Sequence, residues 1–185
     1  LKVGIGPSPV CTTRVQAGAG VPQFTAVKEV AEFANKKNIP VTADGGMRYP
    51  GDAAKAIAAG ATSIFSGFFF AGTDEAPGRI IFKDGRRYKK YIGSASYENN
   101  HKLKEREEGE KIKERVDIFV EGTSSLVDYK GSVSDVINSL KKGLKSSISY
   151  CGAKDIPQMQ KNSEFTRITQ SGWIESKSRG KEERS

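Results

Sequence analysis

The chain has 185 residues, 36% of them hydrophobic, and 20 glycines, which bounds it to one globular domain with room for a second small element and excludes wholesale disorder. Its two cysteines, Cys11 and Cys151, give neither a disulfide framework nor zinc spacing, and no apolar run approaches the roughly 20 residues of a membrane span, so a cytoplasmic protein that does not enter the membrane is expected. The net charge is +8, with 8 basic and 6 acidic groups in residues 1–80 and 22 and 16 in residues 81–185; a basic excess so mixed with acids reads as a solvated surface, not a nucleic-acid stripe, and is compatible with a small anion such as a nucleotide.

The chain opens directly in the strand-like "LKVGIG", with no signal-peptide pattern. The loop that follows, "GIGPSPVCTTR", carries Cys11 beyond two turn-forming prolines, with hydroxyls and the cation of Arg14 just behind it. A thiol becomes a nucleophile where a cation, oriented N–H groups or a base stabilises its thiolate. From Gln23 to Lys37, Val27, Val30, Ala31 and Ala34 fall at helix spacing with lysines at the end. "IPVTADGG" reads as a second strand closing in a glycine turn, a helix follows from about Gly51 to Ala59 before Gly60, and "TSIFSGFFF" reads as a third, apolar strand.

Apolar strands alternating with helices predict a parallel sheet covered on both faces, whose ligands bind at the carboxyl ends of the strands. The Cys11 loop, the turn Asp44-Gly45-Gly46 and the segment from Gly67 all fall on that rim.

The second half changes character. "RIIFKDGRRYKKY" predicts a hairpin with Asp84-Gly85 at its turn. Residues 97–117 hold 13 charged side chains and too few apolar ones to order themselves, which predicts a disordered insertion or a mobile flap. Val133, Val136, Ile137, Leu140, Leu144 and Ile148 form one helix face opened by Ser132. "EFTRIT" reads as a last strand and "ESKSRGKEERS" as a frayed tail.

Five segments, "GIGPSPVCTTR", "GAGVPQFTAV", "PVTADGGMRYPGDAAKAIAAGA", "AGTDEAPG" and "YKGSVSDVINSL", together resemble the IMP dehydrogenase/GMP reductase family in order and spacing. The resemblance implies an α/β fold, the C-terminal portion of a (β/α)8 TIM barrel, with a hairpin and charged flap inserted. It divides the chain into the last β/α units at 1–80, hairpin and flap at 81–131, a C-terminal helix and strand completing the barrel at 132–176, and a disordered tail at 177–185. With three β/α strands in place of eight, an apolar strand edge is expected to be exposed.

The resemblance also implies residue roles. Cys11 matches the nucleophile that adds to C2 of a purine, and Thr13 the threonine that assists water activation or proton transfer. Asp44 matches the carboxylate that binds the ribose hydroxyls. Gly46 and Gly67 match backbone donors to the 5′-phosphate, and Tyr91 the tyrosine beside it, with Ser96 at the same substrate site. Glu121 matches the residue that reads the purine N1 edge, and the carbonyls of Gly6, Ser8 and Cys11 match a potassium site. The implied reaction is oxidation of IMP to XMP with NAD; the alternatives are reduction of GMP to IMP with NADPH, or a silent purine-nucleotide-binding module. A homotetramer is the implied assembly.

Two positions depart from the family's pattern. Its loop usually reads Gly-Pro-Gly-Ser-x-Cys, whereas this chain has Ser8-Pro9-Val10-Cys11, so Pro9 stands where a serine would bind phosphate. After the third strand the family often has Gly-Ser, and this chain has Gly67-Phe68. Two lost hydrogen bonds to a charged group correspond to roughly 10²–10⁴-fold in affinity unless Ser8 or another donor compensates. No Arg-Tyr pair occurs in 97–120, where typical dehydrogenases carry the base of the hydrolytic step; Arg106 and Arg115 match by position only.

Overall fold

The computed structural model describes residues 1–100 and 120–178. Most of the stretch expected to be a charged flap, including Arg106 and Arg115, and most of the tail lie outside the described residues.

Strands β1 (Lys2–Val3), β2 (Thr42–Asp44) and β3 (Ser63–Phe65) form a parallel sheet in the order β1-β2-β3, with Lys2 and Ser63 both opposite Thr42. A four-residue turn of helix α1 (Thr13–Gln16) follows the first loop. Helices α2 (Gln23–Ala34) and α3 (Pro50–Ala58) make the crossovers. Val27, Ala31 and Ala34 are the buried residues of α2, at the spacing of one helix face. A 3-10 turn, Asn35–Lys37, extends α2 to the predicted end at Lys37. Pro50 at the first position of α3 and the Asp52 carboxylate, which accepts the N–H groups of Arg48 and Tyr49 at 3.0 Å each, fix that helix start.

The core is rich in alanine. Ala43, Ala53, Ala56, Ala59 and Ala61 surround Val27, Met47, Ile57, Phe69 and Met159, and short side chains let helix and sheet approach closely. A Cβ on Gly60 would come within 2.8 Å of the Ala31 Cβ, so glycine is what lets the end of α3 pass α2.

The apolar run expected as a single third strand is divided. The strand ends at Phe65, and the Ser66 Oγ accepts the N–H of Phe69 at 3.3 Å, opening the short helix α4 (Gly67–Phe70). A serine hydroxyl in reach of the N–H three residues on favours the helical turn over continued strand, whatever the hydrophobicity of the phenylalanines.

The second sheet is antiparallel: β4 (Ile81–Lys83), β5 (Arg86–Ile92) and β6 (Ser124–Asp128) in that order. At the β4–β5 turn, Asp84 and Gly85 have φ of 50° and 72°, the left-handed pair that a two-residue hairpin requires. Helix α5 (Val133–Tyr150) lays Val136, Leu140, Leu144 and Ile148 against the core, but Ile137, expected on the same face, is 43% exposed. Two further helices, α6 (Ile156–Asn162) and α7 (Gln170–Glu175), complete the described chain.

The strand expected at 164–169 does not form. Phe165 instead meets Phe24 of α2 edge-on, with ring centroids 4.7 Å apart, so this segment is held by an aromatic contact on the helical side and not by a sheet ladder. The C-terminal third of the described chain is therefore helical. Among the described residues no strand pairs with the outer side of β1 or β3, and Phe65 on β3 is 55% exposed, in line with the apolar edge expected. No helix among the described residues is long and apolar enough to cross a membrane.

Two side chains tie the sheets and helices together through the loop at 73–76. Lys89 is only 3% exposed, and its ammonium donates to the carbonyls of Thr73, Asp74 and Ala76 at 2.8, 3.2 and 2.6 Å. Glu75 accepts the N–H of Val133 at 2.8 Å and the hydroxyl of Ser132 at 3.2 Å, so it holds the start of α5. Its own backbone N–H and that of Val133 keep its carboxyl below the usual glutamate range. Replacing Lys89 by Met should cost about 3 kcal/mol in the protein that carries this chain, read as a lower denaturation midpoint at unchanged slope. Because the folded pKa of Glu75 is depressed, its contribution is complete above the unfolded glutamate pKa and lost as pH falls through the folded one. The stability difference between wild type and Glu75→Gln should accordingly be largest near neutral pH and shrink in acid, measured by unfolding across pH.

Candidate active site at the strand ends

Cys11 sits on the rim predicted for it, at the end of a tight loop in which its N–H donates to the Ser8 carbonyl at 3.1 Å. Its Sγ lies 3.2 Å from Thr13 Oγ1, the first residue of α1, so a hydroxyl is available to the sulfur. The loop is bonded to a segment more than 100 residues away. Thr12 N–H donates to the Glu121 carbonyl at 2.7 Å and Thr123 N–H to the Val10 carbonyl at 2.8 Å. Gly122 bridges both Cys11 and Ser96, and a Cβ there would lie 2.8 Å from the Ser96 nitrogen, so the close approach of the three backbones needs glycine.

Arg14 does not serve the thiol as its sequence position indicated. Its guanidinium donates to the Ile5 carbonyl at 3.0 Å and the Val21 carbonyl at 2.7 Å, clasping the two ends of the loop. Gly6 and Gly20 lie against the same side chain, where a Cβ would meet Arg14 Cγ at 2.5 and 2.9 Å.

These segments enclose a cavity of about 490 Å³, within the size range of small-ligand sites. Among the residues singled out from the sequence, Gly6, Ser8, Cys11, Asp44, Gly46, Gly67, Tyr91 and Glu121 all line it. Thr13 reaches it only through its contact with Cys11. Ser96 is 2% exposed, its Oγ accepts the Asn99 N–H at 3.3 Å, and it supports the wall from behind.

Asp44, at the end of β2, points one oxygen at Lys2 Nζ, 2.7 Å away on β1. Lys2 in turn lies over the Phe65 ring, 4.4 Å from its centroid. The pair leaves Asp44 about a quarter exposed toward the cavity and able to accept further hydrogen bonds. Across the cavity, Tyr91 OH is 3.3 Å from Ser8 Oγ. Phe68, which replaces the hydroxyl residue of the family pattern, has its carbonyl bonded to Lys130 Nζ at 2.6 Å and its ring 4.5 Å beneath that ammonium. Burial pushes the Lys130 pKa down, and Asp128 opposes the shift.

Lys2, Gln23 and Arg48 also belong to the site, although the sequence reading gave none of them a role there. Lys2 and Arg48 line the cavity as cations, and the Gln23 amide donates to the carbonyls of Val3 and Asp44 at 2.8 and 3.1 Å. The role of Lys2 follows from the strand register, which pairs it with Thr42 two residues before Asp44; no local pattern carries that information. A second, more open cavity of about 720 Å³ lies between α2, α3, α5 and 163–168, but its walls are mostly apolar, and Cys151 there packs against the core with its sulfur 3.5 Å from the Ser163 hydroxyl.

A cysteine with a hydroxyl neighbour and a carboxylate, set where parallel strands end, thus line one cavity of an α/β layer. Comparison with known proteins places it. The family model for the IMP dehydrogenase / GMP reductase domain matches residues 1–179. The inosine-5′-monophosphate dehydrogenase of Methanocaldococcus jannaschii is 48% identical over 95% of this chain and 37% of its own length, and that of Nitrosopumilus maritimus is 45% identical over the same shares. A GMP reductase variant from Trypanosoma brucei, solved in complex with guanosine 5′-monophosphate, superposes with a TM-score of 0.89 at 43% identity, covering 98% of this chain and 36% of that one. The chain belongs to the IMP dehydrogenase/GMP reductase family, and it spans a little over a third of the length of the relatives it matches.

Gly67 is the residue on which the far wall depends, since a Cβ there would lie 2.3 Å from Tyr91 OH. Gly67→Ala should swing the Tyr91 ring away from Ser8 and cost about 1–3 kcal/mol, the usual toll of overpacking. A crystal structure of the variant with Tyr91 unmoved would contradict this.

Proposed function

We propose that this chain is the C-terminal part of a (β/α)8 barrel that oxidises IMP to XMP. The observation that carries the proposal is Cys11, with Thr13 3.2 Å from its sulfur, lining a cavity that Asp44 and Tyr91 also line. In this scheme the Cys11 thiolate adds to C2 of the purine, C2 loses a hydride, and water cleaves the resulting thioimidate to release XMP and the free thiol. NAD, when bound, supplies the hydride acceptor. The Thr13 hydroxyl is placed to hydrogen-bond the sulfur or to pass a proton beside it. Asp44, held by Lys2, accepts the ribose hydroxyls, Glu121 faces the purine edge, and Tyr91 with the backbone at Gly46 and Gly67 takes the 5′-phosphate.

The proposed parts are the last β/α units at 1–80, the hairpin and flap at 81–131, and the C-terminal region at 132–176, followed by the tail. A cavity of about 490 Å³ suits a mononucleotide, so in this scheme most cofactor contacts come from the part of the barrel outside this chain. For potassium, the carbonyls of Gly6, Ser8 and Cys11 are donors of the right kind for a hard cation. The Ser8 carbonyl already accepts the Cys11 N–H and keeps one lone pair. Among the described residues, no group of three or more His, Cys, Asp or Glu is arranged to hold a metal.

Reduction of GMP to IMP is the second reading, favoured by the close superposition on the GMP reductase structure. Both readings require Cys11 to meet purine C2, and they differ in the direction of hydride transfer. Incubating the full protein that carries this chain with 6-chloro-IMP should yield a purine adduct on Cys11 by mass spectrometry, absent in Cys11→Ala and blocked by excess IMP. NAD reduction with IMP, rather than NADPH oxidation with GMP, is the expected turnover. A folded protein that forms no adduct and turns over neither substrate would leave only nucleotide binding.

A further inference from the structure

Pro9 has neither a hydroxyl nor an N–H to offer a phosphate, yet the cavity wall at this point is not without donors. The loop carries its serine one position earlier, and Ser8 Oγ lies 3.3 Å from Tyr91 OH on the cavity wall. The Val10 N–H points at Ser8 Oγ from 3.4 Å, which occupies a lone pair and leaves the hydroxyl hydrogen free to be donated. The loop is braced behind it, because the Pro7 ring fills the space where Gly45 and Gly46 lack side chains, with ideal Cβ positions 3.1 Å from that ring in each case. Gly67 admits Tyr91 to the same spot, its missing Cβ being the space the phenol oxygen occupies.

We propose that Ser8, paired with Tyr91, is the hydroxyl donor to the 5′-phosphate in this protein, replacing the serine that Pro9 removed. The proposal rests on the mononucleotide reading of the cavity. A phosphate dianion presents only acceptors, so it satisfies both hydroxyl hydrogens at once. Without ligand, one of the two hydroxyls donates to the other and the second hydrogen faces the cavity. With a phosphate monoester, both turn toward its oxygens, and no side chain need change rotamer. The shifted serine therefore conserves a binding function while its backbone position changes, and Phe68, locked by Lys130, is left as a structural residue of the wall.

The test is equilibrium binding of IMP and of inosine, which lacks the phosphate, to the full protein carrying this chain, by calorimetry. Wild type should prefer IMP. Ser8→Ala should weaken IMP binding about 10- to 100-fold and leave inosine unchanged. Ser8→Thr, which keeps the hydroxyl, should recover most of the loss, and Ser8→Ala with Tyr91→Phe should lose less than the product of the single losses, as expected of a coupled pair. Unchanged IMP affinity in Ser8→Ala, in a wild type that prefers IMP, would overturn the role of Ser8 alone. Equal weakening of IMP and inosine would also overturn it, showing a loop held by Ser8 and no phosphate contact. A wild type with no preference for IMP over inosine would overturn the mononucleotide reading and this proposal with it.

Discussion

Strands β1 and β2 pair for two residues and then part, and the amide of Gln23 spans the gap between them. Its NH₂ group reaches the carbonyls of Val3 and Asp44 at the point where the ladder ends, so both strand ends keep their bonds after they separate. Gly4 makes the geometry feasible, since a Cβ there would stand 2.1 Å from the Asp44 carbonyl oxygen. The amide's own oxygen is buried and has no partner among the described residues, so the strut is kept at some energetic cost. One strand end then leads into the cysteine loop and the other carries Asp44, and the placing of Cys11 relative to Asp44 follows from this junction.

The cysteine loop is further defined from two sides. Arg14 joins its ends through the carbonyls of Ile5 and Val21, and the segment at 121–123 adds backbone bonds to its far side. A loop with so many of its polar groups engaged by other parts of the chain is preorganised, and Cys11 is held in place with it. The hairpin contributes Tyr91 from its second strand, and buried Lys89, two residues earlier, anchors the hairpin to the loop at 73–76. The cavity-lining Tyr91 and the structural anchor Lys89 thus lie on the same strand.

The alanine-rich core and the open sheet edges belong together. Small side chains between α2, α3 and the sheet allow a tight β/α layer, but three short strands bury little and end in exposed edges. The chain spans a little over a third of the length of the relatives it matches. At the site itself, the departures from the family pattern are localised: Pro9 and Phe68 line the same cavity as Cys11, Asp44 and Tyr91, and Thr13 lies against Cys11.

The sequence by itself determined the elements whose signals are local. Helix α2 followed from apolar spacing, the hairpin from Asp84-Gly85, and the rim position of Cys11, Asp44 and Gly67 from the alternation of strand and helix. It misjudged what depends on contacts. "SGFFF" turned helical because one hydroxyl, Ser66 Oγ, was placed to cap it. "EFTRIT" stayed out of any sheet because Phe165 found Phe24. Helix α6 brought in the fully buried Met159 without an apolar period to announce it, although Asp155 before Ile156-Pro157 was a legible cap. Only the tertiary structure could pair Lys2 with Asp44, spend Arg14 on the loop ends instead of the thiol, bring Glu121 beside Thr12, and set Ser8 against Tyr91. The physical reason is range: capping, turn geometry and periodicity act within a few residues, whereas these pairs join side chains and backbones brought together by strand register and by segments up to 109 positions apart.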